Sequence, residues 1–515
     1  MTRLPTGAVD WPSFGACVAI IALVCVPLAV FPETGGRFLE RVYTLMAAEL
    51  GWAYLLAGCV AMTILAWLGF GRYGQVVLGA DDTPPDFSTY SWIAMLFCAG
   101  IGAGLLAWAP IEWAHYLDAP PFGVEPRSVE AMAWASTYGL FHWGPTAWCF
   151  YCLPTIGIAY PYYTKRLTYL RFSTSCHYFF AGREETRRAR VIDWVFMVAL
   201  LGGAGSSLGF STPLIAACIS RLTGVENHFG LEAFVVGLCV ALFGSSVWFG
   251  LEKGIKRLSD VNILLALALL VGMLVGGPTV FLFKTSLSSV GLMVSEFVRM
   301  NSWTDPFTQS GFVESWTVFY WAWWIAYGPF VGLFVTRISR GRTIREVVVG
   351  MVGWGTLGSV VFFMVMGNYS LFLELTGALG VSDLLMTDGA PTAIVASLDQ
   401  MPLGGGVVAV FCVVAIIFAA TTYDSASYTL AAAATRRLVA GEDPPRWHRL
   451  FWAVALTLLP LTLMSVGGLR VMQTATLVVS LPILVVGVFM SVALVRQLGA
   501  DARSPVSRIQ GTNRH

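Results

Sequence analysis

Charge is scarce in this chain. Only 12% of its 515 residues are Asp, Glu, Lys or Arg, and 31 basic against 30 acidic side chains leave a net charge of +1. A net charge this small says nothing for a nucleic-acid partner, and none is expected. Histidine is rarer still, at six residues. The ten cysteines (Cys17, Cys25, Cys59, Cys98, Cys149, Cys152, Cys176, Cys218, Cys239 and Cys412) fall mostly within apolar runs, without metal-ligand spacing or a disulfide framework. They read as small core residues. There is also no phosphate-binding glycine loop, no metal triad and no nucleophile constellation, so an enzyme and a resident cofactor are not expected.

What the chain has in abundance is apolar surface: 57% hydrophobic residues, with 33 Phe and 19 Trp. A soluble protein of this length has no use for that much. Repeated apolar runs of roughly 20 residues predict an all-α integral membrane protein. Twelve spans are expected, near 14–31, 51–70, 91–116, 131–161, 192–221, 231–250, 261–284, 315–336, 346–375, 404–435, 448–467 and 472–495. The first run is too long for a signal-peptide core and has no small-residue cleavage site, so it reads as a retained helix. Residues 285–300 keep a helical pattern but carry Ser286, Ser288, Ser289, Glu296 and Arg299, which predicts an amphipathic helix along the membrane surface. The expected organisation is a short cytoplasmic N-terminus (1–13), two peripheral spans (14–90), five spans (91–284), the surface helix and its loop (285–314), five more spans (315–495) and a cytoplasmic tail (496–515).

Charge placement supports that count. With the N-terminus inside, only Arg37, Arg41, Arg127, Arg221, Lys284, Arg299 and Arg470 of the 31 basic residues fall outside. This is positive-inside asymmetry, with both termini cytoplasmic. The turn Arg337 to Arg345 is densely basic, which topology alone explains; the tail, with Arg503, Arg508 and Arg514, is long enough only to touch anionic lipid.

Spans 3 and 8 each carry helix breakers at mid-span: Ala99-Gly-Ile-Gly-Ala-Gly104 and Gly328-Pro329. Freed backbone at membrane depth is tolerated where it lines a cavity. Two broken spans five apart predict two inverted five-helix repeats, spans 3–7 and 8–12, with a site at their interface.

Span 8 is aromatic on nearly every side. Ser315 to Phe330 holds Trp316, Trp321, Trp323, Trp324, Tyr320 and Tyr327. Tyr320 and Trp324, like Trp323 and Tyr327, stand four apart on one helix face. Interfacial belts are the usual place for such residues, but these fill the middle of a span. Uncharged ring faces in a dry site suit a cation without hydrogen-bonding groups, such as a quaternary ammonium; an ordinary aromatic core is the plainer alternative. Span 4 adds Trp143, Trp148 and Tyr151, enough to close a box from two sides. In span 3, Glu112 is a candidate by its burial in apolar sequence: a proton carrier, an ion ligand or, favoured because Pro110 frees nearby backbone, a structural acceptor. His115 reads as facing water and His142 as a satisfied core histidine. In span 10, Thr421 and Thr422 are neutral oxygen ligands. With backbone carbonyls near Phe418, Cys98 and Ile101 they would make a small Na⁺ site, although helical Thr more often bonds its own preceding carbonyl.

The runs Trp316-Thr-Val-Phe-Tyr-Trp-Ala-Trp-Trp324 and Arg337-Ile-Ser-Arg-Gly-Arg-Thr-Ile-Arg-Glu346 closely resemble the signature of the betaine/choline/carnitine transporter family. So do Phe141-His-Trp-Gly-Pro145, the Gly-rich span 3 ending in Glu112, and Asp424-Ser-Ala-Ser427. The resemblance implies a LeuT-like core preceded by two extra helices, and a homotrimer built through the surface helix. It places a box at Trp143, Trp148, Tyr151, Trp323, Trp324 and Tyr327, and a route along Trp316, Tyr320, Phe330 and Glu112, with Trp316 and Phe330 on its cytoplasmic side. It also implies that a second sodium site is missing, since Leu200 and Ala204 stand where Na⁺-coupled betaine carriers have threonines. Asn262 stands where sodium-independent carnitine exchangers have Arg. Overall the chain resembles the exchanger branch, while its ion site resembles the symporters.

The expected function is secondary transport of a small onium zwitterion of the betaine or carnitine type in a bacterial inner membrane. The carboxylate end would meet freed backbone N–H groups at Gly100, Gly102 and Gly104, and Na⁺ would be the coupling ion. Na⁺-independent exchange and H⁺-coupled uptake are the near alternatives, and a non-transporting sensor the distant one.

Overall fold

The computed structural model describes residues 9–502 except 81–82, 100–101, 168, 181–185, 250–251, 437, 439–442 and 467–468. Helices make almost all of it. Among the described residues there is no strand, only the isolated bridges of Val9 with Thr435 and Val77 with Thr343. In lipid this is forced: backbone polar groups must be satisfied within each segment.

The two leading helices are α1 (Trp11–Val30) and α2 (Pro32–Phe70). Expectation placed a loop before residue 51, but α2 has 39 residues and starts directly after Phe31. At 1.5 Å per residue it is about 58 Å long, nearly twice the hydrocarbon core.

The third span is broken twice. Its pieces are α3 (Thr89–Ala99), α4 (Ala103–Trp108) and α5 (Glu112–Asp118). Gly102 is extended, with φ −159° and ψ 176°, and the second break falls at Pro110. The fourth span also divides, into α6 (Val129–His142) and α7 (Pro145–Thr164), because Pro145 has no N–H to continue the earlier turn. Then follow α8 (Arg187–Thr223), α9 (Phe229–Phe249) and α10 (Glu252–Gly276). Gly277-Pro278 stops α10 some eight residues before the expected end of the seventh span. The amphipathic helix therefore begins earlier than expected, as α11 (Thr279–Ser295) followed by α12 (Phe297–Ser302). Val280, Phe283, Leu287, Val294 and Val298 are exposed, while Leu282, Ser289 and Met293 are buried.

The eighth span corrects an expectation. A wider-wound π segment (Val313–Val318) leads into α13 (Phe319–Ile338), and α13 runs through Gly328-Pro329 without a break. Glycine stands here for closeness, not for a bend. A Cβ on Gly328 would lie 2.7 Å from the Phe150 carbonyl oxygen, and one on Gly332 would lie 3.1 Å from the Thr155 nitrogen. The two glycines let α13 seat directly on α7, the most extensive helix contact among the described residues. Gly328→Ala should therefore destabilise the protein by about 1–3 kcal/mol despite alanine's better helix propensity. A melting curve in detergent reads this directly, and an unchanged midpoint would show that α13 can shift away at no cost.

The ninth span comprises α14 (Ile344–Gly350), α15 (Thr356–Phe362) and α16 (Asn368–Thr376), joined by π turns at Met351–Gly355 and Phe363–Gly367. Two short helices, α17 (Val381–Thr387) and α18 (Gly389–Asp399), occupy what was expected to be loop. The last three spans are α19 (Gly404–Ala433), α20 (Arg446–Val466) and α21 (Leu469–Asp501). The core gathers where α13 packs on α7, α8 and α21, and where α8 packs on α19.

The basic turn after α13 does more than set topology. Arg342 is buried, donates to the Phe87 carbonyl (2.9 Å), Thr89 Oγ1 (3.1 Å) and Glu346 Oε1 (3.2 Å), and lies 4.9 Å from the Trp92 ring centre. Arg345 donates to the Gly69 carbonyl at 2.9 Å. These arginines tie the ends of α2, α3 and α13 together.

Candidate functional site

One cavity of about 990 Å³ enters the middle of the molecule. Its deep end is aromatic: Trp143 at the α6–α7 break, Tyr151 on α7, and Trp323, Trp324 and Tyr327 on α13. Its mouth is polar, with Arg171, Arg337, Asp424, Ser425 and Tyr428. Both arginines belong to the basic end of the bundle, where α7 and α13 finish and α8 begins.

The rings form a corner. Trp323 and Trp324 lie nearly parallel, 8° apart with centres 5.1 Å apart. Trp143 meets Trp324 edge-on at 4.7 Å and 69°, and Tyr151 meets it at 5.9 Å and 81°. Each indole N–H of the corner is committed to protein, so none is a free donor toward the cavity: Trp143 donates to Glu112 (3.0 Å), Trp324 to the His142 carbonyl (2.8 Å) and Trp323 to the Gly203 carbonyl (3.4 Å). Gly104 carries no side chain because Trp323 lies over it; a Cβ there would come 3.2 Å from the ring. Gly203 makes the same room for Tyr327, at 2.8 Å.

Opposite the basic end the cavity is shut by packed rings. Phe210 lies 5.6 Å from Trp323, Phe319 5.5 Å from Trp323, and Trp108 5.2 Å from Phe210 and 5.9 Å from Trp316. The conformer is therefore open to one face of the bundle and sealed from the other.

Three site expectations need correction. Trp148 does not line the cavity. Its ring is buried against Gly355 of the ninth span, where a Cβ would come within 2.4 Å of it, and it supports Tyr151 from behind at 5.4 Å. Trp316 is not on the route that Phe330 lines. It sits in the seal at the other end, 4.7 Å from His115 and 5.2 Å from Tyr116, because α13 runs from the seal toward the basic end. Glu112 and Tyr320 do not line the open route either; both are fully buried behind the box.

Glu112 is a hub. Tyr116 donates to it at 2.6 Å, Tyr320 at 2.5 Å and Trp143 at 3.0 Å, and His142 Nδ1 stands 3.4 Å away. Tyr116 and His142 Nδ1 are 2.9 Å apart, and His142 Nε2 is 3.1 Å from Thr317 Oγ1. Every group is satisfied if Nδ1–H donates to the Tyr116 oxygen and Nε2 accepts from Thr317, with His142 neutral. The donors are side chains, not the backbone freed at Pro110. His115, expected to face water, instead packs its ring on Trp316. Glu112→Gln replaces one acceptor oxygen by an N–H that faces donors, so it should cost about 2–3 kcal/mol in stability and weaken substrate by misplacing Trp143. Substrate titration and melting of the same preparation separate the two effects; full affinity in the variant would remove Glu112 from the support of the box.

The ion-site residues converge in part. Thr421 and Thr422 line the same cavity, and each donates to the Phe418 carbonyl, at 3.0 and 2.8 Å. Phe418 and, from α3, Cys98 also line it. Ile101 and Gly100 lie outside the described residues, while Gly102 and Gly104 line the deep part of the cavity. Leu200 and Ala204 are fully buried and stand off the cavity, and Asn262 is buried with no partner for its amide among the described residues.

Sequence reasoning missed the seal residues Trp108 and Phe210, the lining residues Ser207 and Asp260, and the arginines at the mouth. The small-residue run Gly202 to Ser207 was the available signal, since such runs mark close approach.

The family model for BCCT, the betaine/carnitine/choline family transporters, matches residues 12–503. The transporter YeaV of Escherichia coli (strain K12) is 36% identical over 428 residues, covering 83% of this chain and 89% of that protein. A carnitine transporter of Acinetobacter baumannii is 36% identical over 448 residues, covering 87% and 81%. Among solved structures, a substrate-bound, outward-open Na⁺-coupled sialic acid symporter aligns with a TM-score of 0.41 and 12% identity, over 88% of this chain and 81% of that one. A helical, multi-span chain with a central aromatic cavity, matched end to end by one family, is a transporter and not an enzyme: it belongs to the betaine/carnitine/choline transporter family.

Proposed function

We propose that this protein carries a small quaternary-ammonium zwitterion across the bacterial inner membrane, holding the onium head against Trp143, Tyr151, Trp323, Trp324 and Tyr327. The observation that carries the reading is the aromatic corner lining the closed end of a cavity that reaches one side of the bundle. Its three indole N–H groups are bonded to protein, so the corner turns ring carbon rather than free donors to the cavity. A methylated ammonium needs faces and no acceptors. Carnitine is favoured over other onium compounds by the Acinetobacter relative, itself a carnitine transporter. The carboxylate end would lie toward Gly102 and Gly104, where α4 starts without a side-chain cap.

Two inverted five-helix repeats, near 91–284 and 315–495, would rock about this site. The basic end would be cytoplasmic, as would both termini, making the conformer inward-open. A homotrimer would form through α11, as the resemblance implies.

Na⁺ fits the donors present. Thr421 Oγ1, Thr422 Oγ1 and the Phe418 carbonyl place neutral oxygens on one cavity-facing turn of α19, with Cys98 of α3 lining the same cavity. When bound, Na⁺ would supply fixed positive charge joining the two repeats, which favours the substrate-ready state. Na⁺-independent exchange is the second reading, favoured by Leu200 and Ala204, which offer no hydroxyl for a further ion. Uptake of radiolabelled carnitine and glycine betaine into proteoliposomes tests the proposal. Accumulation of neither would reject it. Accumulation driven by an inward Na⁺ gradient would mean symport, and acceleration only by internal substrate would mean exchange.

A further inference from the structure

A second cavity of about 780 Å³ opens at the basic end beside the first, and shares Leu170, Arg171, Arg337, Tyr428 and Ala432 with it. Among the described residues, four guanidinium groups line it (Arg166, Arg171, Arg337 and Arg340) against one carboxylate, Asp443. Only Arg340 has an acidic partner among the described residues, Asp86 at 3.5 Å. Arg171 is held by the Thr435 and Arg436 carbonyls, at 2.6 and 2.8 Å, and stands 5.1 Å from the Tyr169 ring. The nearby Asp193 carboxylate feels the Arg171 charge without forming an ion pair with it, and accepts from the amide and hydroxyl of Ser173, both at 2.9 Å. Arg337 stands 5.3 Å from the Tyr428 ring. Arg166 keeps a left-handed backbone, φ 52°, at the end of α7.

Three guanidinium groups in no ion pair among the described residues, two of them set against tyrosine rings, share one lining carboxylate and leave an excess of positive charge around a half-open volume. Like charges gathered this way repel, and the arrangement persists at least cost when an anion fills it. The fork of a guanidinium matches tetrahedral phosphate oxygens, and several forks around one space suit a multiply bonded phosphoester better than a lone carboxylate. The volume is that of a small organic ligand, well beyond a bare ion. We propose that this cavity binds a phosphoester anion. Two sources share that chemistry: an anionic phospholipid headgroup, reachable because the cavity lies where α7 and α13 end, or a soluble phosphate ester. Because Arg171 and Arg337 belong to both cavities, an occupant here would alter the mouth through which substrate passes.

The test uses the full-length protein in a neutral detergent and follows melting temperature with four probes: dioctanoyl-phosphatidylglycerol, dioctanoylglycerol, glycerol phosphate and inorganic phosphate. Arg166→Gln and Arg340→Gln remove charges that line only the second cavity, and carnitine binding to each variant reports an intact first cavity. The expected result is saturable stabilisation by the phosphatidylglycerol and none by dioctanoylglycerol, with apparent affinity falling about tenfold in Arg166→Gln. Equal stabilisation by glycerol phosphate or inorganic phosphate, weakened in the same variants, would assign the site to a soluble anion. Stabilisation by no phosphate-bearing probe, or stabilisation unchanged in both variants, would overturn the proposal.

Discussion

Replacing Trp324 by Ala should raise the half-saturating concentration of an onium substrate about 30-fold. Trp324 stacks on Trp323 at 8° and meets Trp143 and Tyr151 edge-on, so it touches three of the four other rings of the corner. A desolvated cation–π contact contributes about 2 kcal/mol, which is about 30-fold in a dissociation constant. Truncation also leaves the buried His142 carbonyl without its donor at 2.8 Å, so some stability will be lost as well. Trp324→Phe separates the two: it keeps a ring face and most of the packing but loses the same N–H, so it should lose only the part of the stability that the bond supplies and bind within a few-fold of the parent. Trp148→Phe is the complementary control. Its ring lies behind Tyr151, off the cavity, so its cost should fall on stability and spare affinity. Isothermal titration of carnitine or glycine betaine with the purified variants reads all three. Equal weakening by Trp148→Phe and Trp324→Ala would mean that the corner is generic core packing.

The difference between those two tryptophans shows where sequence reading stops. Both lie in aromatic runs of broken or flanking spans, and both fit the same family pattern. Spacing along α7 sets Trp148 and Tyr151 about 60° apart around the helix, close enough to count as one face. Whether a ring on that side meets a cavity or another helix depends on the partner. For Trp148 the partner is the ninth span at Gly355, hundreds of residues away. The fold class and most spans were legible, because the lipid's demand for apolar length writes itself into composition. The break in span 3 was legible because Gly102 has no other reason to be there. Gly328-Pro329 has the same signature and no break, since its glycine answers to the Phe150 backbone across the α7–α13 contact. Glu112 was legible as unusual, but its four partners come from α5, α6 and α13 and from the turn after α6, a constellation that no local spacing encodes. The arginines after α13 read as topological charge. Only the structure separates Arg342, buried and bonded to carbonyl, hydroxyl and carboxylate, from Arg337, which lines both cavities.

Replacing both Thr421 and Thr422 by Ala should decide the coupling. The two hydroxyls donate to one carbonyl, that of Phe418, so their own lone pairs remain available on a turn that faces the cavity. Helical threonine makes this bond in many proteins with no ion in sight, which is why the hydrogen bonds themselves do not distinguish a site. Two features do: both threonines line the cavity, and the third span, which lines it too, is broken between Ala99 and Ala103. An ion held this way joins α19 to α3 and so favours one conformer over the other. Losing two of about five oxygen ligands should raise the Na⁺ concentration needed for half-maximal uptake at least tenfold, with substrate affinity in saturating Na⁺ little changed. The bulk lost is small and the lost bonds are local to α19, so folding should survive. The reading fails if the double variant transports with the parent's Na⁺ dependence. If the parent itself is indifferent to Na⁺ and is driven by substrate on the far side, the two threonines are ordinary helix residues. In that case the protein is an exchanger, and the absence of hydroxyls at Leu200 and Ala204 becomes the more telling feature of its ion chemistry.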